Sequence, residues 1–388
     1  MTSDTSSKEP PPSFFTLLYM YHKTFLFGLG FSLVTFLLHY ELHNIYISVF
    51  FASISIALLS ITVSQVAEVL SHRLDEPYGS GVLTLSAVVV EIIILFMILL
   101  VSTHTQHALQ TVKGGIISAI IVDMNVLLGL AVFIGGLSFK EQEHNEDTSS
   151  TYTTILLVAS SALLIPSVFK YASSDNHSLL LLSNLIAVVL FLFYIVIVIF
   201  QTKTHQHFFK ATVKSRTFRY KRNSEDSDSE HIDDAFEARS TALNFLIIFA
   251  LIAMIGFVAE IFAQDGMQLV MQYDLPVGLA GLVIAIISVA PEIMTAIKAA
   301  KNDQIQRVIN IAMGASTVSV MLTVPILVAL SNITATPLTL DFNPFQIGAL
   351  VLTIILAWKT TDDGETNYFE GVSHLFFFVC YAIVVSLL

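Results

Sequence analysis

Long apolar runs alternate with short polar breaks along this chain. Eleven segments stand out: residues 22–41, 44–71, 79–102, 112–138, 152–171, 178–201, 242–264, 275–299, 304–331, 343–358 and 369–388. A bilayer core about 30 Å thick is crossed by about 20 helical residues. Only a helix satisfies its own backbone hydrogen bonds in lipid without neighbouring strands. The pattern therefore predicts an all-α polytopic membrane protein of eleven transmembrane helices. One long hydrophilic loop, 202–241, separates the first six segments from the last five. The tail 1–21 is polar and proline-rich, without the charge–apolar–small order of a cleaved signal.

Composition agrees with the pattern. The 388 residues are 55% hydrophobic and 12% charged, against about 25% charged in soluble domains. The net charge of −12 resides largely in loops and does not point to nucleic acid. A single cysteine, Cys380, rules out an intrachain disulfide. Nothing in the sequence indicates an oligomeric state.

Basic residues orient the chain. With the N-terminus in the cytoplasm, 16 of the 18 Lys and Arg fall inside, and only Lys113 and Lys170 fall outside. Half of the inside residues lie in the long loop, yet the short loops alone keep the same sign, as the positive-inside rule requires.

The chain also repeats itself. VAEVL at 66–70 recurs as VAEIF at 258–262. The first copy continues through Gly79, Gly81 and Ser86 to Glu91, and the second through Gly278, Gly281 and Ser288 to Glu292. An odd number of crossings separates the copies, so they run in opposite directions. The organisation expected is an extra N-terminal helix (22–41), a five-helix repeat (44–201), the loop, and a second, inverted repeat (242–388). In transporters built this way the site lies at the midplane, where the repeats meet.

Each repeat buries one acid in an otherwise apolar run: Glu91 in LTLSAVVVEIIILFMILL and Glu292 in GLVIAIISVAPEIMTAI. A lone charge at that depth costs at least about 2.5–3.5 kcal/mol. Two symmetry-related acids are better explained as a shared cavity that binds a cation or protons than as two isolated hydrogen bonds. Pro291 lacks an N–H and so frees the carbonyl of Ile287. That carbonyl, Ser86, Ser288 and Thr84 supply oxygens of the kind hard cations such as Ca²⁺ take. Glu91 and Glu292 are the expected metal ligands. Asp123 and Asn125 of IIVDMNVLLG, and Ser316 and Thr317 of MGASTVSVML, flank the site from the next helix of each repeat. Glu68 and Glu260 stand at opposite mouths, as funnels or as ordinary interfacial charge. Two ionised carboxylates with one divalent cation are neutral, and so are two protonated ones. An empty, doubly charged site is costly to carry through a closed state. This charge count predicts antiport of cation against proton, with no resident cofactor.

By HRLDEPYGSGVLTLSAVVVE (72–91), SVAPEIMTAIKAAKNDQIQR (288–307) and DGETNYFEG (363–371), the chain resembles the CAX-type cation/proton exchanger family of the sodium/calcium exchanger superfamily, and within it the bacterial ChaA-type branch. The resemblance covers nearly everything after about residue 25. It implies exchange of Ca²⁺, or in some members Na⁺ or K⁺, for H⁺, with Glu91 and Glu292 as the two central glutamates. It also implies a bacterial inner membrane. The chain departs from the family's GNxxE pattern, with Ala87-Val88 and Ser288-Val289 at the Gly-Asn positions, and Asp123 stands where Asn is typical. Ca²⁺ is the first expectation for the cargo, and Na⁺ or K⁺ the alternative.

The remaining features weigh less. The loop has a basic half, 210–222, suited to anionic headgroups, and an acidic half, 223–237. DSDSEHIDDAFE at 226–237 has acids at EF-hand positions, but His231 occupies the place where the turn needs Gly. His104 and His107 lack further metal ligands, and His374 reads as a packed or hydrogen-bonded histidine. A channel would also use acidic rings, but the chain has no pore-loop signature. A membrane enzyme would need motifs such as HExxH or GxGD, which are missing.

Overall fold

The computed structural model describes residues 14–74, 78–101, 106–172, 175–210, 240–334 and 336–387. The helices are α1 (Phe14–Tyr40), α2 (Ile45–Arg73), α3 (Tyr78–Val101), α4 (Gln106–Val122), α5 (Leu128–Phe139), α6 (Glu146–Ala172), α7 (Asn176–Ile199), α8 (Thr241–Tyr273), α9 (Val277–Lys301), α10 (Ile305–Val318), α11 (Val324–Ile333), α12 (Pro344–Thr361) and α13 (Tyr368–Val385). Among the described residues, ten rods are long and apolar enough to span a bilayer, and α3 adds the shorter apolar helix Leu85–Val101. These are the eleven expected segments. Two of them are pairs of helices joined end to end: α4 runs into α5, and α10 into α11.

Each junction is a π turn, Asp123–Leu127 in the first repeat and Ser319–Thr323 in the second. The Leu128 N–H bonds the Asp123 carbonyl, and the Val324 N–H bonds the Ser319 carbonyl, each five residues back. Such bulges are rare and concentrate at functional sites. A third π turn, Phe200–Thr204, ends the rod of α7; the two rods bulged at midspan are the most enclosed. Buried residues make up 83% of the apolar window at His107–Phe139 and 78% at Ile305–Ile333, against 22% for α1. These rods form the centre, and α1 and α7 lie at the periphery.

The helix ends differ from the hydropathy segments. α1 begins at Phe14, α6 at Glu146 and α8 ends at Tyr273, each several residues beyond the apolar run. Hydropathy marks where lipid ends, whereas a helix continues until its end groups are capped. Asn44, Asp175 and Ser240 each accept a backbone N–H at an N-terminus. Asn343 with Gln346, and Asn367 with Glu370, form reciprocal capping boxes.

The halves interlock. α4 crosses α9 through glycines: a Cβ on Gly281 would stand 2.6 Å from the Gly115 nitrogen and 2.7 Å from the Gly114 carbonyl carbon. At the end carrying the long loop, a two-stranded antiparallel ribbon forms. It pairs β1 (Glu141–Glu143) with β2 (Glu365–Asn367), joining the loop after α5 to the loop before α13. Near it, Asn145 Nδ2 donates to the carbonyls of Phe208 (3.0 Å) and Lys210 (3.2 Å), and Asn310 Nδ2 to that of Phe209 (3.0 Å). The start of the long loop is thus fastened to α6 and α10. At the opposite end Asp341 accepts from both Lys113 (2.5 Å) and Lys170. These are the two lysines expected outside, and both pair with one acid. Burial opposes the charge on Asp341, but the two ammonium groups and the Thr339 hydroxyl hold its carboxyl below the usual carboxylate range.

Candidate functional site

Glu91 lies in the middle of α3 and is buried. Its Oε2 accepts two hydroxyls from the second π turn: Ser319 Oγ at 2.9 Å and Thr323 Oγ1 at 3.0 Å. Neither residue was singled out from the sequence. The signal was available, since Ser316, Ser319 and Thr323 follow an i, i+3, i+7 spacing that puts three hydroxyls on one helical face.

Asp123 opens the first π turn and is 1% exposed. Its Oδ2 accepts from Ser316 Oγ at 3.1 Å, and its Oδ1 is buried without a hydrogen-bond partner. Glu292 projects from α9, which packs against this turn, and its Oε2 is likewise buried and unpartnered. The packing is crossed: the acid on α3 meets the π turn of the second repeat, and α9, which carries the other acid, packs against the π turn of the first. Asp123 and Ser319, each the first residue of its π turn, occupy equivalent places. One glutamate therefore meets hydroxyl donors, while the other stands on the helix packed against the turn that carries a second carboxyl.

The remaining expected residues fall variously. Ser316 is in the site. Thr317 Oγ1 is buried without a partner. Ser86 is buried on α3, and the side chain of Thr84 lies outside the described residues. Ser288 Oγ donates to the Ala285 carbonyl at 3.0 Å, so its proton serves its own helix. Ile287 and Pro291 are buried within α9, which continues through the proline from Val277 to Lys301. The Pro291 carbonyl accepts from Thr295 Oγ1 at 3.0 Å. Asn125, expected beside the acids, instead turns its amide to α12 and α13. There it donates to Thr353 Oγ1 and accepts from His374, both at 3.0 Å. Within a helix, positions two apart do not share a face, so Asp123 and Asn125 diverge. Glu68 pairs with Arg307 across the loop end. Glu260 sits on the exposed surface of α8 and accepts from Gln264 at 3.3 Å. Cys380 is exposed. His104 and the acidic run 223–237 lie outside the described residues. Among the described residues no three His, Cys, Asp or Glu side chains converge closely enough to hold a metal ion. The three acids form a loose cluster in this conformation.

Two inverted halves with an intramembrane acid on each can be compared with known proteins. The family described as sodium/calcium exchanger protein matches residues 41–203 and 243–387. The chain belongs to this family. The two matched stretches flank the long loop and leave out α1 up to its end. Sodium/calcium exchanger family relatives include the sodium-potassium/proton antiporter ChaA of Escherichia coli (strain K12). It is 28% identical over 335 residues, 86% of this chain and 87% of that one. A Ca(2+)/H(+) antiporter of Synechocystis sp. is 31% identical over 103 residues, 26% of this chain and 27% of that one. Among solved structures, native YfkE superposes with a TM-score of 0.75 at 22% identity, covering 95% of this chain and all (100%) of that one. An H+/Ca2+ exchanger, CAX, gives a TM-score of 0.65 at 14% identity, covering 94% and 92%. These two likenesses show a shared fold.

Proposed function

We propose that the protein is a secondary transporter that exchanges a cation for protons by alternating access. The carrying observation is the crossed acid arrangement: Glu91 on the hydroxyls of Ser319 and Thr323, and Glu292 on the helix packed against the Asp123 turn, with unpartnered buried oxygens on both Asp123 and Glu292. Buried polar atoms without partners are uncommon in native structures. Here they offer lone pairs to a ligand that is itself positive. Proton and cation compete for the same oxygens, so each drives the other off. Family membership supports the reading.

Ca²⁺ is the first cargo to test, bound by Glu91 and Glu292 with hydroxyl and water oxygens, as a hard cation is. A second reading, Na⁺ or K⁺, draws on the ChaA relative, which matches most of the chain and is named a sodium-potassium/proton antiporter. The partners are inorganic cations, protons and lipid. The positive-inside count supports an N-terminus in the cytoplasm, and the likeness to ChaA supports a bacterial inner membrane.

The test uses inside-out vesicles with an acid interior. Ca²⁺, Na⁺ and K⁺ are added in turn while a pH-sensitive dye reports proton efflux, for wild type, Glu91→Gln and Glu292→Gln. Collapse of the gradient by one cation, lost in both variants, supports exchange through these acids and names the cargo. Normal transport in the variants removes Glu91 and Glu292 from the mechanism.

A further inference from the structure

Beside the acid site, on the far face of the first π turn, lies a closed chain of neutral polar groups. Asn125, 0% exposed, is the third residue of that turn. Its Nδ2 donates to the Ile121 carbonyl one turn back and to Thr353 Oγ1 of α12, both at 3.0 Å. With both amide hydrogens used, Oδ1 acts as acceptor, and it meets His374 Nδ1 of α13 at 3.0 Å. His374 must then carry its proton on Nδ1, which leaves the Nε2 lone pair to accept from Thr360 Oγ1 at 3.0 Å. One neutral tautomer satisfies every atom in the chain.

The backbone is built to bring the ring there. α13 crosses α5 where both helices have glycine: a Cβ on Gly129 would stand 2.7 Å from the His374 Cβ, and one on Gly371 2.6 Å from the Gly129 carbonyl. His374 thereby reaches into the turn, beneath Asn125. The equivalent place in the second π turn is Met321, buried and without a hydrogen-bonding side chain. Only the turn that carries a carboxyl is tied in this way to two helices of the other repeat. Asp123 is two residues before Asn125 and points to the opposite side, so fixing Asn125 fixes the rotation of the turn.

We propose that His374, acting through Asn125, is a positioning residue for Asp123: the Thr360–His374–Asn125–Thr353 chain sets where the Asp123 carboxyl stands relative to Glu292. This rests on the reading that Asp123 faces the transported cation. It adds that the affinity of the site depends on a network that never touches the cation. A π turn is a single-turn bulge that inserts an extra residue into the helical register, so the direction of its side chains depends on the contacts that hold it. An ion site displaced by an ångström loses contacts that its ligands cannot recover.

The test is proton-coupled cation flux in proteoliposomes of the full chain, with Ca²⁺ and Na⁺ as probes. It compares wild type, His374→Leu, His374→Gln and Thr360→Val, each alone and with Asp123→Asn. His374→Leu is expected to raise the half-saturating cation concentration about fivefold or more, with the maximal rate within about twofold. His374→Gln, which keeps a donor and an acceptor, should recover most of the loss. In the Asp123→Asn background His374→Leu should add nothing. If His374→Leu does not reach the membrane, Thr360→Val removes one hydroxyl at the far end of the chain and should give a smaller shift of the same kind. An unchanged affinity in His374→Leu, or an equal loss with and without Asp123, overturns the proposal. So does an Asp123→Asn variant with normal affinity, while wild-type exchange and its loss in Glu292→Gln would leave the transport reading standing. Absence of cation-driven proton flux in wild type would remove both.

Discussion

Thr323→Val replaces a hydroxyl by a methyl group of nearly the same size, so it isolates one hydrogen bond to Glu91. In the structure that bond is 3.0 Å long and shares Oε2 with the 2.9 Å bond from Ser319. A hydrogen bond to a charged group is worth about 1.5–3 kcal/mol. The second donor remains, so the lower end applies, which corresponds to about a tenfold change in an equilibrium constant. The cation-loaded state needs Glu91 ionised, and both hydroxyls stabilise its charge. Thr323→Val should therefore raise the half-saturating cation concentration about tenfold, and the double variant Ser319→Ala/Thr323→Val about a hundredfold. The assay is initial proton flux against cation concentration in proteoliposomes at fixed pH. Thr323→Ser keeps the hydroxyl and loses the methyl group, so it should stay near wild type. Wild-type affinity in Thr323→Val refutes the reasoning. So does an equal loss in Thr323→Ser, because packing rather than the hydroxyl would then be the cause.

Two further outcomes follow from the packing. Asp341→Asn leaves Lys113, whose side chain is 12% exposed, buried without its counter-ion; this should cost about 3 kcal/mol, read as a lower midpoint of thermal unfolding in lipid nanodiscs. Lys170→Met removes a partner that is 57% exposed and should cost under about 1 kcal/mol. Because the folded Asp341 titrates below its usual value, its contribution is present above the unfolded pKa near about 3.9 and fades as pH falls through the lower folded value; a pH scan of the midpoint should show wild type and Asp341→Asn converging only in strong acid. Gly281→Ala should separate α4 from α9 at a cost of about 1–3 kcal/mol, whereas Gly266→Ala on α8, with no atom within 4 Å of the added Cβ, should stabilise by about 0.5–1 kcal/mol; the two midpoints moving together would refute the close crossing.

The eleven apolar runs, the inverted halves and the two glutamates were all legible in the chain, because lipid constrains each segment one at a time. A helix in hydrocarbon must be long and apolar wherever its neighbours lie, and an acid inside it stands out against that background. Asp123 and Ser316 were legible for the same reason. What eluded the sequence was direction. Asn125 and Asp123 are two residues apart and both polar, yet a π turn sends one to α13 and the other to Ser316 of α10. Ser319 and Thr323 were not singled out in the sequence; the crossing of the helices is what puts Glu91 against them. The ribbon of Glu141–Glu143 with Glu365–Asn367 joins strands of three residues from distant loops, too short to carry a periodicity. The sequence by itself determined which segments enter the membrane and which acids go with them, since burial in lipid is a property of each segment alone. Only the tertiary structure decided which acid meets hydroxyls and which stands on the helix packed against the Asp123 turn, since that depends on the rotation of one bulged helix against the others.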